Sequence, residues 1–162
     1  MSDVDSVDPR RKARMLTLQC LFGMDLRNWS QEISQEISQE ISLEWLIEDD
    51  PISPGTRIFA QELIRGVRQD LAQLDRLIHQ YAPAWPVDQL SVVDRNVLRI
   101  ALFELLFRTE TPRKSAVNEA VELAKAFGSE SSARFVNGVL GSIMVDLDSG
   151  ELVADQPVRE GR

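Results

Sequence analysis

Four basic residues crowd the first stretch of this sequence that can form a helix: Arg10, Arg11, Lys12 and Arg14. At about 100° per residue, the three arginines fall within one quadrant of that helix. Like charges one turn apart repel by roughly a few tenths of a kcal/mol, and the positive end of the helix dipole disfavours cations. A sequence shaped only for folding places acids there. The local cost is offset if the guanidinium groups meet phosphates, which arginine grips with two parallel N–H donors. Pairing with the chain's own acids, in the leader or in the acidic segment that follows, is the competing reading.

A second candidate is the turn Phe127-Gly128-Ser129-Glu130-Ser131-Ser132, with Arg134 and Phe135 just beyond it. The turn opens a helix, so unpaired backbone N–H groups and serine hydroxyls there suit a phosphate or a base edge. Phe127 and Phe135 can stack unpaired bases, each stack contributing about 1–3 kcal/mol. Taken alone, these residues read better as a helix cap followed by two core phenylalanines.

Other chemistry is poorly supplied. The sequence holds no phosphate loop, no glycine-rich strand-to-helix turn and no paired cysteines. His79, the only histidine, has no partner at catalytic or ligating spacing and reads as a surface or capping residue. Cys20, the only cysteine, lies in an apolar helical stretch and reads as core. Carboxylates are plentiful, and a solvated helix face accounts for them better than an acid–base pair. The expectation is a non-enzymatic protein without cofactor or metal.

A net charge of −8 argues at first against a nucleic-acid partner. Its distribution reverses that. Residues 28–53 carry seven acids and no base, and both termini are acidic as well. Residues 54–141 carry eleven bases and ten acids, while residues 9–27 carry five bases against one acid. The acidity belongs to the ends and one insert, and the basic surplus sits at residues 10–14.

The elements that must position these residues are all helical. Asp8-Pro9 reads as an N-cap and first helical position. The helix it opens runs to about Arg27, and from Met15 onward is apolar all round, so other helices should enclose it. Residues 30–41 repeat Ser-Gln-Glu-Ile three times, which suits a low-complexity insert or a lengthened helix. Ser53-Pro54 opens a further helix extending to about Ala82, which Gly66 is expected to loosen at a cost of about 1 kcal/mol relative to alanine. Pro83-Ala84-Trp85-Pro86 is a rigid connector. Ser91 with Asp94 resembles a capping box before a second enclosed helix ending near Arg108. Helices over about 115–127, with Gly128 as a C-terminal stop, and from Ser132 to about Leu147 complete the pattern. Alternating β-branched segments are absent. Two enclosed helices predict an all-α fold of six or seven helices in two small packed bundles. Residues 1–8 and 148–162 are expected to be a disordered leader and tail around a domain spanning 9–147.

The most apolar stretch, Val92 to Phe107, is broken by Asp94, Arg95, Arg99 and Glu104, which excludes a membrane span. The start MSDVDSVDP lacks the order of a signal peptide, so the chain is expected in the cytoplasm.

Three blocks resemble the NusB family of transcription antitermination factors. They are Arg10-Arg11-Lys12-Ala13-Arg14 leading into Leu18-Gln19-Cys20-Leu21-Phe22; Trp85-Pro86 with Asp94-Arg95-Asn96-Val97-Leu98-Arg99-Ile100-Ala101-Leu102-Phe103-Glu104-Leu105; and Val117-Asn118-Glu119-Ala120 through Phe127-Gly128, followed by Arg134-Phe135-Val136-Asn137-Gly138. The last block is the most specific, and residues 28–53 have no counterpart.

The resemblance implies a NusB-like fold and binding of a short single-stranded RNA element, boxA, in nascent ribosomal RNA. It implies doing so with a small-subunit ribosomal protein, NusE, within the RNA polymerase antitermination complex, which reads through terminators. It assigns Arg10, Arg11, Lys12, Arg14 and Gln19 to one RNA-facing region, and Phe127, Ser131, Ser132, Arg134 and Phe135 to a second. Phe22, Asp88 and Asp94 match positions facing the ribosomal protein. Phe22 stands where a tyrosine is common, so a hydroxyl contact is lost. Ser131 stands where an acid occurs, a change that should favour RNA slightly. Self-association, as a homodimer masking the RNA face, is left open.

Two rival readings remain. A NusB-like domain also accompanies RNA methyltransferases, but that version needs a strand-containing domain with a glycine-rich cofactor loop, and these 162 residues hold none. A protein–protein adaptor that has lost RNA binding is the other.

Overall fold

The computed structural model describes residues 8–26, 43–48 and 50–154, and the Ser-Gln-Glu-Ile repeat lies outside them. Among the described residues all regular structure is helical, as the periodicity predicts. The chain divides into two compact units, residues 1–66 and 67–162.

In the first unit, α1 (Pro9–Leu26) starts where the Asp8-Pro9 pair predicts. The Asp8 carboxylate accepts the Arg10 backbone N–H at 2.8 Å, satisfying one of the orphan donors of the first turn. Ala13, Leu16, Leu18, Cys20, Leu21 and Met24 are buried, but the enclosure expected on every side is incomplete: Gln19, Phe22 and Leu26 share the remaining face and are exposed. Residues 43–47 form a short helical segment that buries Leu43 and Ile47. Next comes α2 (Pro54–Gln69), capped by Ser53, whose hydroxyl accepts the Thr56 N–H at 3.1 Å. Its Phe59, Ala60, Leu63, Ile64 and Val67 recur at helical spacing and are buried.

The expected single helix over 54–82 is two. The break falls at Asp70, not Gly66: α3 spans Leu71–Tyr81, and Asp70 leaves helical geometry with φ −105° and ψ 21°. Gly66 stays buried inside α2. A glycine merely tolerates a bend, whereas aspartate is a poor helix-interior residue that favours the N-cap position it takes before α3, here without a side-chain cap hydrogen bond.

In the second unit a 3₁₀ turn at Val87–Gln89 follows the proline-rich connector. Then α4 (Val92–Phe107) buries every residue from Asn96 to Phe107. It packs against α3, α5 (Arg113–Phe127) and α6 (Ser132–Ser149), and α6 also packs against α3 and α5. The charge this enclosure carries is compensated. Arg99 donates through Nε and Nη2 to the two carboxylate oxygens of Asp75 at 2.8 and 2.9 Å, and through Nη1 to Asn96 Oδ1 at 2.9 Å. A buried guanidinium with one partner missing is strongly destabilising, so this fork ties α4 to α3. Tyr81 on α3 donates its hydroxyl to Asp146 on α6 at 2.6 Å. Burial, then that hydrogen bond, push the phenol up to about 12. The last helix runs two residues past the expected end and stops at Gly150, whose φ of +85° is left-handed and suits glycine.

Candidate nucleic-acid interface

The start of α1 is cationic, with no acid in its first turn. Arg10 and Arg11 are exposed, and Gln19 is exposed further along. Two of the expected contact residues sit differently. Arg14 is only 4% exposed. Lys12 donates to the Asp50 carboxylate at 2.5 Å, so this cation pairs with the acidic segment, as the competing reading allows. The pair is largely exposed on the Asp50 side, and such pairs hold weakly.

The sequence reading missed what stands beneath these arginines. The guanidinium carbons of Arg10 and Arg14 lie over the ring of Phe59, 5.5 and 5.4 Å from its centre. Phe59 looked like one more apolar position of α2, and no local pattern links it to residues 45–49 positions earlier.

The second region lies where α5 hands over to α6. Ser131 and Arg134 are exposed, and Phe127 and Phe135 are half-buried. Ser132 departs from expectation: it is buried, and its Oγ accepts the Ser129 backbone N–H at 3.0 Å. The Ser129 hydroxyl lies 3.2 Å from those of Ser131 and Ser132. Ser132 therefore shapes the turn, leaving Ser131 at its surface. Gly128 is required here for space, not for a left-handed backbone, because its φ is −98°. A Cβ there would collide with the Ser132 side chain and come within 2.8 Å of the Ala124 carbonyl oxygen. Beside the turn, Arg134 and Phe135 line a recess of about 310 Å³ with Tyr81, Pro83, Trp85 and Gly138. Trp85 is 60% exposed, an aromatic the sequence reading treated only as part of a connector.

The residues matched to a protein partner are surface features of their own units. Phe22 is 38% exposed on α1. Asp88 is exposed in the 3₁₀ turn, and its carbonyl oxygen, like that of Leu90, accepts from Arg95 Nη1. Asp94 sits half-buried in the first turn of α4. Its backbone N–H donates to Ser91 Oγ at 3.0 Å, forming one half of the capping box. One of its carboxylate oxygens is buried with no hydrogen-bond partner among the described residues. Also among these residues, no three His, Cys, Asp or Glu side chains gather as a metal site, and no helix is long and apolar enough to cross a membrane.

The fold and these surfaces define an all-helical protein with two candidate binding regions, one cationic and one built from serines, an arginine and aromatic rings. The NusB family model matches residues 11–145. The transcription antitermination protein NusB of Dehalococcoides mccartyi (strain CBDB1) is 46% identical over 134 residues, covering 83% of this chain and 88% of that protein. A crystal form of T. maritima NusB superposes with a TM-score of 0.75 at 36% identity, over 90% of this chain and 99% of that one. A structure described as antitermination factors NusB and NusE in complex with dsRNA matches at a TM-score of 0.70 and 25% identity, over 83% of this chain and 95% of that one. The chain belongs to the NusB family.

Proposed function

We propose that this protein acts in transcription antitermination by binding boxA-type single-stranded RNA in nascent ribosomal transcripts together with NusE, so that RNA polymerase reads through terminators. The observation that carries the reading is the cationic start of α1, where Arg10 and Arg11 are exposed at a helix end that disfavours them. The relative solved with NusE and RNA supports the choice of partners. That complex holds a double-stranded RNA, so strand preference is the finer part of the proposal.

Arg10 and Arg11 grip phosphates and Gln19 reaches a sugar or base edge. Ser131 and Arg134 hold the strand at the second region, where Phe135 and Phe127 offer ring faces to unpaired bases. Phe22, Asp88 and Asp94 face NusE. Three or four phosphate contacts give a salt slope of only about −2 to −3, taking about 0.7 per phosphate on a single strand. For a chain of net charge −8 that is a modest hold, so tight binding requires the partner to complete the surface.

The test is a fluorescence titration with boxA-like, scrambled and duplex RNA, with and without NusE. The expected order is boxA single strand with NusE far tightest, and weak binding by the protein alone. Equal affinity with and without NusE contradicts the account. Replacing the exposed Arg10 and Arg11 together by glutamate should abolish RNA binding while NusE binding persists; unchanged RNA affinity would leave the adaptor reading standing.

A further inference from the structure

We propose that Phe59 is a positioning residue for RNA binding: its ring, which also packs against the buried Arg14, fixes the exposed Arg10 guanidinium without neutralising it. Both arginines, one helical turn apart, converge on the same ring at 5.5 and 5.4 Å, and Phe59 is itself only 7% exposed. The inference rests on the RNA reading above and deepens it.

A cation can be held in place in two ways. A carboxylate fixes it and cancels its charge, as Asp50 does for Lys12. The face of an aromatic ring attracts it through the ring's quadrupole, which carries no net charge, so the cation's field toward an incoming anion survives. Two guanidinium groups a turn apart also repel each other and the helix dipole. Left unheld, Arg10 would spread over many rotamers, and ordering it on RNA would cost entropy at the moment of binding. The ring meets that cost during folding. Burial fixes the ring, the buried Arg14 is fixed on it, and the exposed Arg10 is presented beside Arg14 with its charge intact. The ligand that suits a cation presented this way is a phosphodiester, whose anion the exposed Arg10 can grip.

The test replaces Phe59 by mono-, di- and pentafluorinated phenylalanine, which weakens the ring's negative face stepwise at nearly constant shape. It is read by titrating boxA-like RNA in the presence of NusE at several salt concentrations. RNA affinity should fall stepwise, by about five- to tenfold at full fluorination, the range one or two cation–π contacts set. The salt slope should shrink toward the loss of one phosphate contact, while NusE affinity holds and the melting temperature falls by no more than the few degrees that the lost cation–π contacts set. Phe59→Leu should match the pentafluoro variant if it folds, and the fluorinated series decides the matter if it does not. A flat series, with Arg10→Glu still destroying RNA binding, overturns the positioning role and leaves the RNA reading intact. A flat series with Arg10→Glu also harmless overturns both.

Discussion

The first turns of α1 and α4 pose the same problem and solve it in opposite ways. Each opens a largely enclosed helix, and each has its first N–H groups satisfied by a capping oxygen, from Asp8 in one and Ser91 in the other. In α4 the turn then carries Asp94, an acid at the positive end of the dipole, where folding favours it. In α1 the turn carries no acid, and Arg10, Arg11 and Lys12 occupy it. Caps are what a helix needs in order to begin, and both helices have them. The charges that follow are not needed for helix initiation, and of these two helices α1 is the one where they go against the dipole. The place where a sequence disregards local folding preference while keeping the cap is where function shows.

Stability and binding should therefore separate between the two helices. The largest effect on stability is expected deep in the second unit: Asp75→Ala strands the buried Arg99 and should cost about 3 kcal/mol, measured by urea denaturation. A cost well under 1 kcal/mol would mean that the fork does not hold α3 to α4. At the first turn of α4, Ser91→Ala removes the cap and should cost about 1 kcal/mol with RNA affinity unchanged once the protein is folded. A loss of RNA affinity there would blur the contrast between the helices.

At the first turn of α1 the signs differ. Arg10→Glu gives up a cation–π contact of about 0.5–1 kcal/mol and gains a favourable dipole interaction of about 0.3–1 kcal/mol. Stability should stay within about 0.5 kcal/mol by these two opposing terms. The smallest perturbation of the fold is then the largest perturbation of binding.

The helical fold was legible because it depends on local signals. Caps at Asp8, Ser53 and Ser91, prolines at helix starts and apolar periodicity all act within a few residues, and the structure follows them. What escaped depends on contacts the local pattern does not carry. The helix break at Asp70, the crowding of Gly128 against Ser132 and Ala124, and the burial of Ser132 each require knowing which atoms meet. The same holds for the candidate interface. The basic run was visible, but Phe59 beneath it, Asp50 opposite Lys12 and Trp85 beside Arg134 were not, since each joins residues well apart in the chain. The left-handed stop at Gly150 was within reach of the glycine rule and lay just past the expected helix end.

The most direct measurement compares the unaltered protein with Arg10→Glu, each with NusE, titrating boxA-like RNA across a range of salt. The unaltered protein should give a slope of about −2 to −3, and the variant a slope shallower by about 0.7. Its affinity should be at least about tenfold lower, the cost of one charge-assisted contact, at an unchanged melting temperature. The same slope and affinity in both proteins would contradict the claim that the arginines of α1 are placed there for RNA.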